Sequence, residues 1–444
     1  MLRRILSEIV NDIPDTRLKL SQNLGRFKAW LVASRADLGL AFVISLLVGM
    51  GYWFLASQIP LALIDPNRDA WVWFEADLIR VHPVMLDRYA NNYRTNVHPL
   101  QAIIMYTPTK ALIVAGLSER LAVLGVLSAT AGLWSASLFG GFRGLGLPRF
   151  DAIVFTALGA VSSAAIFWMP IPEVHAFAGL TVTVALAFGT LMQRGTVPLI
   201  LQSISSVIAF SMTITNWMAG ILTVLASNSY KRAFRILVDG FAIATIVFTL
   251  QRVAFPRSDF FIPRLKSEFA YVLHDLAGGP LDKIRAFFAY SIAIPDVPFL
   301  DNPVFPEWMR LSVQFSPIHT LAWIGLAGLV LWAIVFITGV TRAILTPGRN
   351  APVAQALLLY LLFEGVLHFF YGDETFLYSM SYVPAMFLLA GFSVLGKGRL
   401  FFLTTAVIAV PFLAYNNISE FLRVTSDLQV HADALLQASG AVGD

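Results

Sequence analysis

A chain of 444 residues that is 57% hydrophobic and 13% charged, with a mean hydropathy of +0.72, cannot cover its surface with water-facing groups. A soluble domain of this size is about a quarter charged. The net charge of +4 is small, so its sidedness says more than its size, and the absence of cysteine excludes a disulfide framework, a thiolate metal site and a thiol nucleophile. No nucleic-acid partner is expected.

Residues 1–37 are polar ahead of the first apolar run, which is not the pattern of a cleavable signal peptide. They carry Arg3, Arg4, Arg17, Lys19, Arg26, Lys28 and Arg35, and the positive-inside rule keeps such a segment cytoplasmic. Leu2, Ile5, Leu6, Ile9, Val10 and Ile13 stand near helical spacing, as in a helix lying along the inner membrane surface.

The first span is expected over 38–59, followed by a polar outer loop, 60–118. His98-Pro99 opens an apolar run to Gly116 that Thr107-Pro108-Thr109-Lys110 interrupts. Counted as a crossing it would put the later basic turns outside, so it is read as a juxtamembrane or re-entrant helix pair. Further spans are expected over 119–138, 151–169, 174–192, 197–214, 216–229, 235–254, 319–341, 353–371, 376–395 and 400–416. The expectation is an all-α polytopic membrane protein with about 11 crossings and juxtamembrane helices in its first outer loop.

On this count the short inner turns hold Arg143, Arg149, Arg194, Lys231, Arg232, Arg235, Arg342, Arg349, Lys397 and Arg399, while acidic groups collect outside. The outer side carries 60–118, 255–318, the turn 372–375 and a polar tail, 417–444. Long outer segments with their own aromatic and proline content are usually functional. No internal repeat of the kind found in alternating-access transporters is visible.

The chemistry is expected in the first outer loop. Glu75 and Asp77 form an E-x-D pair after Trp71-Val72-Trp73-Phe74, a stretch that reads as amphipathic and interfacial. A fixed carboxylate there can deprotonate an acceptor hydroxyl or hold a divalent cation. The alternative is a solvated loop with salt bridges to Arg68 or Arg80. Arg80, Arg88, Arg94 and His98 follow closely and suit a phosphate or pyrophosphate. His98-Pro99 alone also reads as a helix-start device.

Glu173 and His175 lie at an outer mouth between two spans, either as functional ionisable groups or as a pair capping the next helix. Asn216 and Trp217 read as a helix N-cap and an interface anchor. Asp373, Glu374 and Tyr378 crown the spans around 371–376 and can bind sugar hydroxyls or cap the helix. Glu364 and His368, four apart inside a span, read as a satisfied polar pair. The 7 histidines are too few and too scattered for a His-based metal site, whereas a hard cation needs only carboxylates and water.

Glu75-Ala76-Asp77 in the first outer loop, followed by His98-Pro99 at the start of a juxtamembrane helix, resembles the GT-C superfamily of integral-membrane glycosyltransferases. That superfamily carries a modified D-x-D motif there, and Glu173 stands where it commonly has a second acidic residue. Two details depart: many relatives read His-Pro-Pro where this chain reads His98-Pro99-Leu100, and Asp after Arg is frequent where Glu173 stands. The transfer of mechanism therefore rests on Asp77.

The resemblance implies a bacterial inner-membrane enzyme moving a sugar, with inversion, from a polyprenyl-phosphate donor to an extracytoplasmic glycan, lipid or protein acceptor. Asp77 would be the general base, with Glu75 and Glu173 as further catalytic carboxylates. Arg80, Arg94 and His98 would stabilise the leaving phosphate, and His175, Asn216, Asp373, Glu374 and Tyr378 would bind substrate. A divalent cation, Mg²⁺ or Mn²⁺, is compatible with the superfamily, and 255–318 would be a loop covering the site. The rival from another class is a transporter or flippase of a lipid-linked glycan, expected to place charges near the bilayer midplane instead of at one face.

Overall fold

A computed structural model describes residues 34–60, 72–90, 94–194, 197–261, 271–273, 278–301, 309–345 and 347–440, with isolated positions 25, 28, 29, 32 and 63. The amphipathic reading of 1–37 falls almost wholly outside these residues, as do Arg68 and Trp71.

Fifteen α-helices are present among the described residues. The first part of the chain gives α1 (Arg35–Ser57), α2 (Leu78–Leu86), α3 (Gln101–Val114), α4 (Glu119–Leu145), α5 (Arg149–Ala160), α6 (Ser163–Trp168) and α7 (Val174–Met192). Then come α8 (Leu199–Ile208), α9 (Trp217–Ser227), α10 (Tyr230–Ala254) and α11 (Pro280–Arg285). The last are α12 (Trp323–Leu345), α13 (Ala351–Phe370), α14 (Ser379–Gly391) and α15 (Arg399–Gly440). Eight helical stretches, containing α1, α4, α7, α10, α12, α13, α14 and α15, are long and apolar enough to cross a bilayer. The protein is a helical, multi-pass membrane protein. Helices α4, α7 and α14 form the buried centre, and α1, α10 and α12 lie at the periphery with apolar side chains turned outward.

Three expected spans take another form. Residues 151–169 form two helices with a break at 161–162, and α8 and α9 are short, at 10 and 11 residues. The last span does not stop at 416: α15 continues for 42 residues to Gly440, about 63 Å at the α-helical rise. Asn417, Phe421, Val424 and Leu428, expected in a polar tail, are buried against the core.

The two ends of the bundle differ in chemistry. At one end Asp37 holds Arg143 at 2.9 Å and Arg149 at 2.6 Å, and Arg399 clasps Asp151 through two nitrogens, at 2.6 and 2.7 Å. Here Arg194 donates to the Arg143 carbonyl, Arg349 to that of Gln193, and Arg342 to those of Ser393 and Lys397. These arginines satisfy carbonyls that close helix ends, which is where cations are favoured. The turns expected to share one side do meet at one end.

At the other end Arg120, in the first turn of α4, reaches the Ser57 carbonyl at the end of α1. The helices run antiparallel in close contact, and a Cβ on Gly132 would stand 2.4 Å from the Ser45 carbonyl oxygen. The segment between them therefore leaves and re-enters the same end of the bundle. Helix α3, 14 residues or about 21 Å long, is too short to span ~30 Å of hydrocarbon. It packs against α2 and α4, and Gln251 of α10 pins its start through the Pro99 carbonyl and the Ile103 N–H.

The second long segment departs most from expectation. Residues 290–295, expected within a covering loop, are buried in the bundle interior. They supply the backbone partners that the break between α5 and α6 leaves free: Ser163 and Ala164 N–H donate to the Ile292 and Ser291 carbonyls at 3.1 and 3.0 Å. Asn417 of α15 closes the arrangement, donating to the Val161 and Ile292 carbonyls and accepting from Ile294 N–H. Irregular backbone at this depth is tolerated because protein groups satisfy it. Beyond it, the antiparallel strands β1 (Phe299–Asp301) and β2 (Met309–Leu311) pair Leu300 with Arg310.

Candidate active site

Residues 72–74, read as an amphipathic stretch, pack into the protein interior. Val72, Trp73 and Phe74 are buried, the Trp73 indole donates to the Phe167 carbonyl at 3.2 Å, and the Phe74 ring meets Phe376 at 5.1 Å. With these rings anchored, the backbone turns sharply through left-handed Phe74 (φ 47°) and Glu75 (φ 61°). Non-glycine residues adopt that region at a cost of about 1 kcal/mol or more each. The turn sets Glu75 and Asp77 on top of an aromatic floor that includes Phe167, Trp168 and Phe376.

Asp77 pairs with Arg94 at 2.5 Å and more loosely with Arg80 at 3.5 Å. Arg94 sits in a short turn fixed from both sides, by Thr95 Oγ1 on the Asp259 carbonyl and by Ile214 N–H on the Val97 carbonyl. Its guanidinium also approaches His98 Nε2 at 3.5 Å, and His98 Nδ1 lies 2.7 Å from the Met212 carbonyl oxygen. The assignment that satisfies both contacts has Nδ1 donating and Nε2 accepting. Burial, with Arg94's charge beside it, lowers the His98 pKa to about 3. His98 is therefore a neutral orienting residue for Arg94, and its cationic role towards phosphate is not supported. Arg88 stacks on Tyr89 instead of joining this group.

Glu173 precedes α7 without capping it through its side chain. It is buried, and desolvation followed by the charge of Asp77 raises its pKa to about 8, against the Val174 and Asp77 amides and Arg94, which pull it down. A carboxyl with a higher pKa in the folded state than the 4.5 expected when unfolded binds its proton more tightly when folded. Its contribution to stability is complete below the lower value and is lost as pH rises through the higher one. Wild type should therefore lose thermal stability between about pH 5 and 8 more steeply than Glu173→Gln, by on the order of 2–4 kcal/mol over the window. Parallel melting curves across that range would show that Glu173 carries no such shift.

Behind Glu173 a polar row runs inward. His175 Nε2 lies 4.0 Å from Glu173 Oε1, and the His175 ring meets Tyr378 edge-on at 5.4 Å. Tyr378 stacks on His368 at 4.2 Å, and His368 Nε2 lies 3.1 Å from Glu364 Oε2. Gly372, with φ 93°, permits this, since a Cβ there would stand 2.4 Å from the Tyr378 ring. Glu364 and His368, expected as a satisfied pair, bond each other on one side only: among the described residues Glu364 Oε1 and His368 Nδ1 meet no hydrogen-bond partner, and neither do Glu173 Oε2, His175 Nδ1, Glu374 Oε1 and Asn216 Nδ2. Asn216 precedes α9 without a side-chain cap, so the capping role expected of it is not made.

Glu75 and Glu374 are tied to the second long segment. Arg310 Nη1 donates to Glu75 at 2.8 Å, Ser312 donates to Glu374 at 2.5 Å, and Gln314 bonds Thr375. Burial raises the Glu374 pKa to about 7, with Ser312 opposing and the charge of Glu75 adding to it. Asp373 stands within electrostatic reach of Lys283, whose Nζ donates to the Phe369 carbonyl. Residues 310–314 thus lie against Glu75, Glu374 and Thr375. Arg310, Ser312 and Gln314 were missed, although Arg310-Leu311-Ser312-Val313-Gln314 alternates polar and apolar residues as a half-buried strand does.

Among the described residues, no group of three or more His, Asp or Glu side chains gathers to hold a metal. Asp77 and Glu75 both face guanidinium groups. This donor set does not fit a divalent cation, and no step below is routed through one. No known protein-family description matches the chain, and no curated protein is significantly similar to it.

Proposed function

We propose that the protein is a membrane glycosyltransferase that moves a sugar from a polyprenyl-phosphate donor to an acceptor on the extracytoplasmic side. The observation that carries this reading is the Asp77–Arg94 pair. It holds an anion and a cation at 2.5 Å beside the buried Glu173, at the end of the bundle opposite the arginine-rich turns. In the reaction the acceptor hydroxyl oxygen bonds to the sugar C1 as the C1–O bond to phosphate breaks, and the hydroxyl proton passes to Asp77. Polyprenyl phosphate leaves, its charge met mainly by Arg94, with the more exposed Arg80 adding little. Transfer of radiolabel from such a donor to envelope acceptors tests this reading.

The positive-inside rule makes the basic end cytoplasmic. The ionisable residues of the candidate site lie at the other end, and the deepest pair, Glu364 and His368, stays within the last two turns of α13. That one-sided distribution favours the enzyme over a transporter. The chain has no native cysteine, so Leu281→Cys, Tyr230→Cys and Lys397→Cys each offer a single exposed thiol. An impermeant maleimide applied to intact cells should label Leu281→Cys only. Labelling of the other two would invert the orientation and place the site in the cytoplasm.

A further inference from the structure

We infer that the arginines gathered at the basic end of the bundle, Arg143, Arg149, Arg194 and Arg349, bind the phosphodiester headgroup of an anionic phospholipid in the cytoplasmic leaflet. This site lies at the opposite end of the bundle from Asp77 and is independent of the glycosyltransferase reading.

The four come from separate elements. Arg143 stands in the last turn of α4, Arg149 opens α5, Arg194 follows α7, and Arg349 lies in the short turn before α13. Backbone carbonyls hold the last two in place. Arg194 Nε donates to the Gly144 carbonyl at 3.2 Å and its Nη2 to that of Arg143 at 2.8 Å, which lays the guanidinium across the end of α4. Arg349 Nε donates at 3.3 Å to the carbonyl of Gln193, the residue beside Arg194, and Asn350 Nδ2 ties the same turn to the Leu145 carbonyl at 3.1 Å.

Charge is crowded as a result. After desolvation, it is the charges of Arg349 and Arg143 that lower the pKa of Arg194. Asp37 pairs with Arg143 and Arg149, whereas among the described residues neither Arg194 nor Arg349 forms an ion pair. Closing helix ends accounts for one edge of each guanidinium and leaves this surplus of charge unexplained. Arg349 commits only Nε to the protein, so its two Nη groups present the fork that matches phosphate oxygens. An anion seated there relieves the repulsion between cations that the carbonyls keep close.

The surroundings identify the anion as a lipid. Phe150 beside Arg149, Leu199 shortly after Arg194, and Ile344 and Leu345 shortly before Arg349 are all exposed. Apolar side chains turned outward next to cations meet acyl chains just below their headgroups, and a soluble anion gains nothing from them. By the positive-inside rule this end faces the cytoplasmic leaflet, whose anionic lipids attract basic pockets between spans. A zwitterionic lipid brings its own cation into the cluster and gains less.

The test is titration of the purified full chain in detergent with phosphatidylglycerol and with phosphatidylcholine, counting bound lipid by native mass spectrometry. Phosphatidylglycerol should bind at least about 10-fold more tightly. Arg194→Gln combined with Arg349→Gln should erase most of that preference. Arg349→Gln alone, which costs the fold a single hydrogen bond of 3.3 Å, should reduce it by about 3-fold. Lys231→Gln combined with Arg232→Gln removes two exposed cations of the same end that do not act on Arg194, and should leave the preference intact. Equal binding of the two lipids would overturn the site. Equal losses in the two double variants would overturn it in favour of diffuse attraction to the basic end. Displacement of phosphatidylglycerol by inorganic phosphate in the millimolar range would overturn the lipid assignment in favour of a soluble anion.

Discussion

Asp77→Asn should lower sugar transfer by about 10²–10⁴-fold, the usual contribution of a positioned general base, while the protein still folds and binds donor. The substitution keeps the shape of the side chain and an oxygen facing Arg94, so the turn after Phe74 has no steric reason to change. It removes the negative charge that meets Arg94 at 2.5 Å and adds to the raised pKa of Glu173. Two readouts separate the roles: the rate constant for bound donor should collapse, and the donor dissociation constant should move by a small factor. Near-normal turnover would remove Asp77 from the chemistry. Glu75→Gln should be milder, because Glu75 is tied to Arg310 at 2.8 Å and acts through strand β2.

The two arginines on Asp77 should behave differently. Arg94 is fixed by Asp77, by the His98 contact and by the turn that Thr95 anchors, so Arg94→Ala should weaken donor binding by about 10–100-fold, the loss of a charge-assisted contact to phosphate. It also leaves Asp77 and Glu173 without their nearest fixed cation. Arg80 is 42% exposed and 3.5 Å from Asp77, and exposed pairs of that kind contribute little. Arg80→Ala should therefore change affinity by less than about 3-fold. Donor titration of both variants checks the contrast. Equal, small effects would move the phosphate site away from Asp77, towards Lys110 or Lys283.

The sidedness of this chain was legible because it is a one-dimensional property. Apolar runs alternate with short turns, and the arginines at 143, 149, 194, 342, 349 and 399 mark one end whatever the packing. The return of 60–118 to its starting end was legible for the same reason, from where a crossing would have put the next basic turn. What was not legible depends on contacts between distant segments. Nothing local in Ser162 or Asn417 states that a strand of backbone from 291–294 will fill the break in the 149–168 span. Trp73 and Phe74 read as interfacial because aromatic residues are enriched at membrane surfaces, whereas here they anchor the turn that carries Glu75 and Asp77. Glu364 and His368 read as a self-contained pair since they are four apart on one helix. Their connection to the site passes through Tyr378, on another element, and through the freedom of Gly372 to let that ring approach.

The central claim is bond making at Asp77, and the most direct measurement is a transfer assay. Purified protein is incubated with polyprenyl phosphate carrying a radiolabelled sugar and with a panel of envelope glycans, lipids and proteins, and the label is followed from carrier to acceptor. The expected result is transfer by wild type and by Arg80→Ala, a reduced rate for Arg94→Ala, and none above background for Asp77→Asn. Label that stays on the carrier with every acceptor, in protein that binds the carrier and moves it between leaflets of a vesicle, would contradict the account and establish the transporter instead.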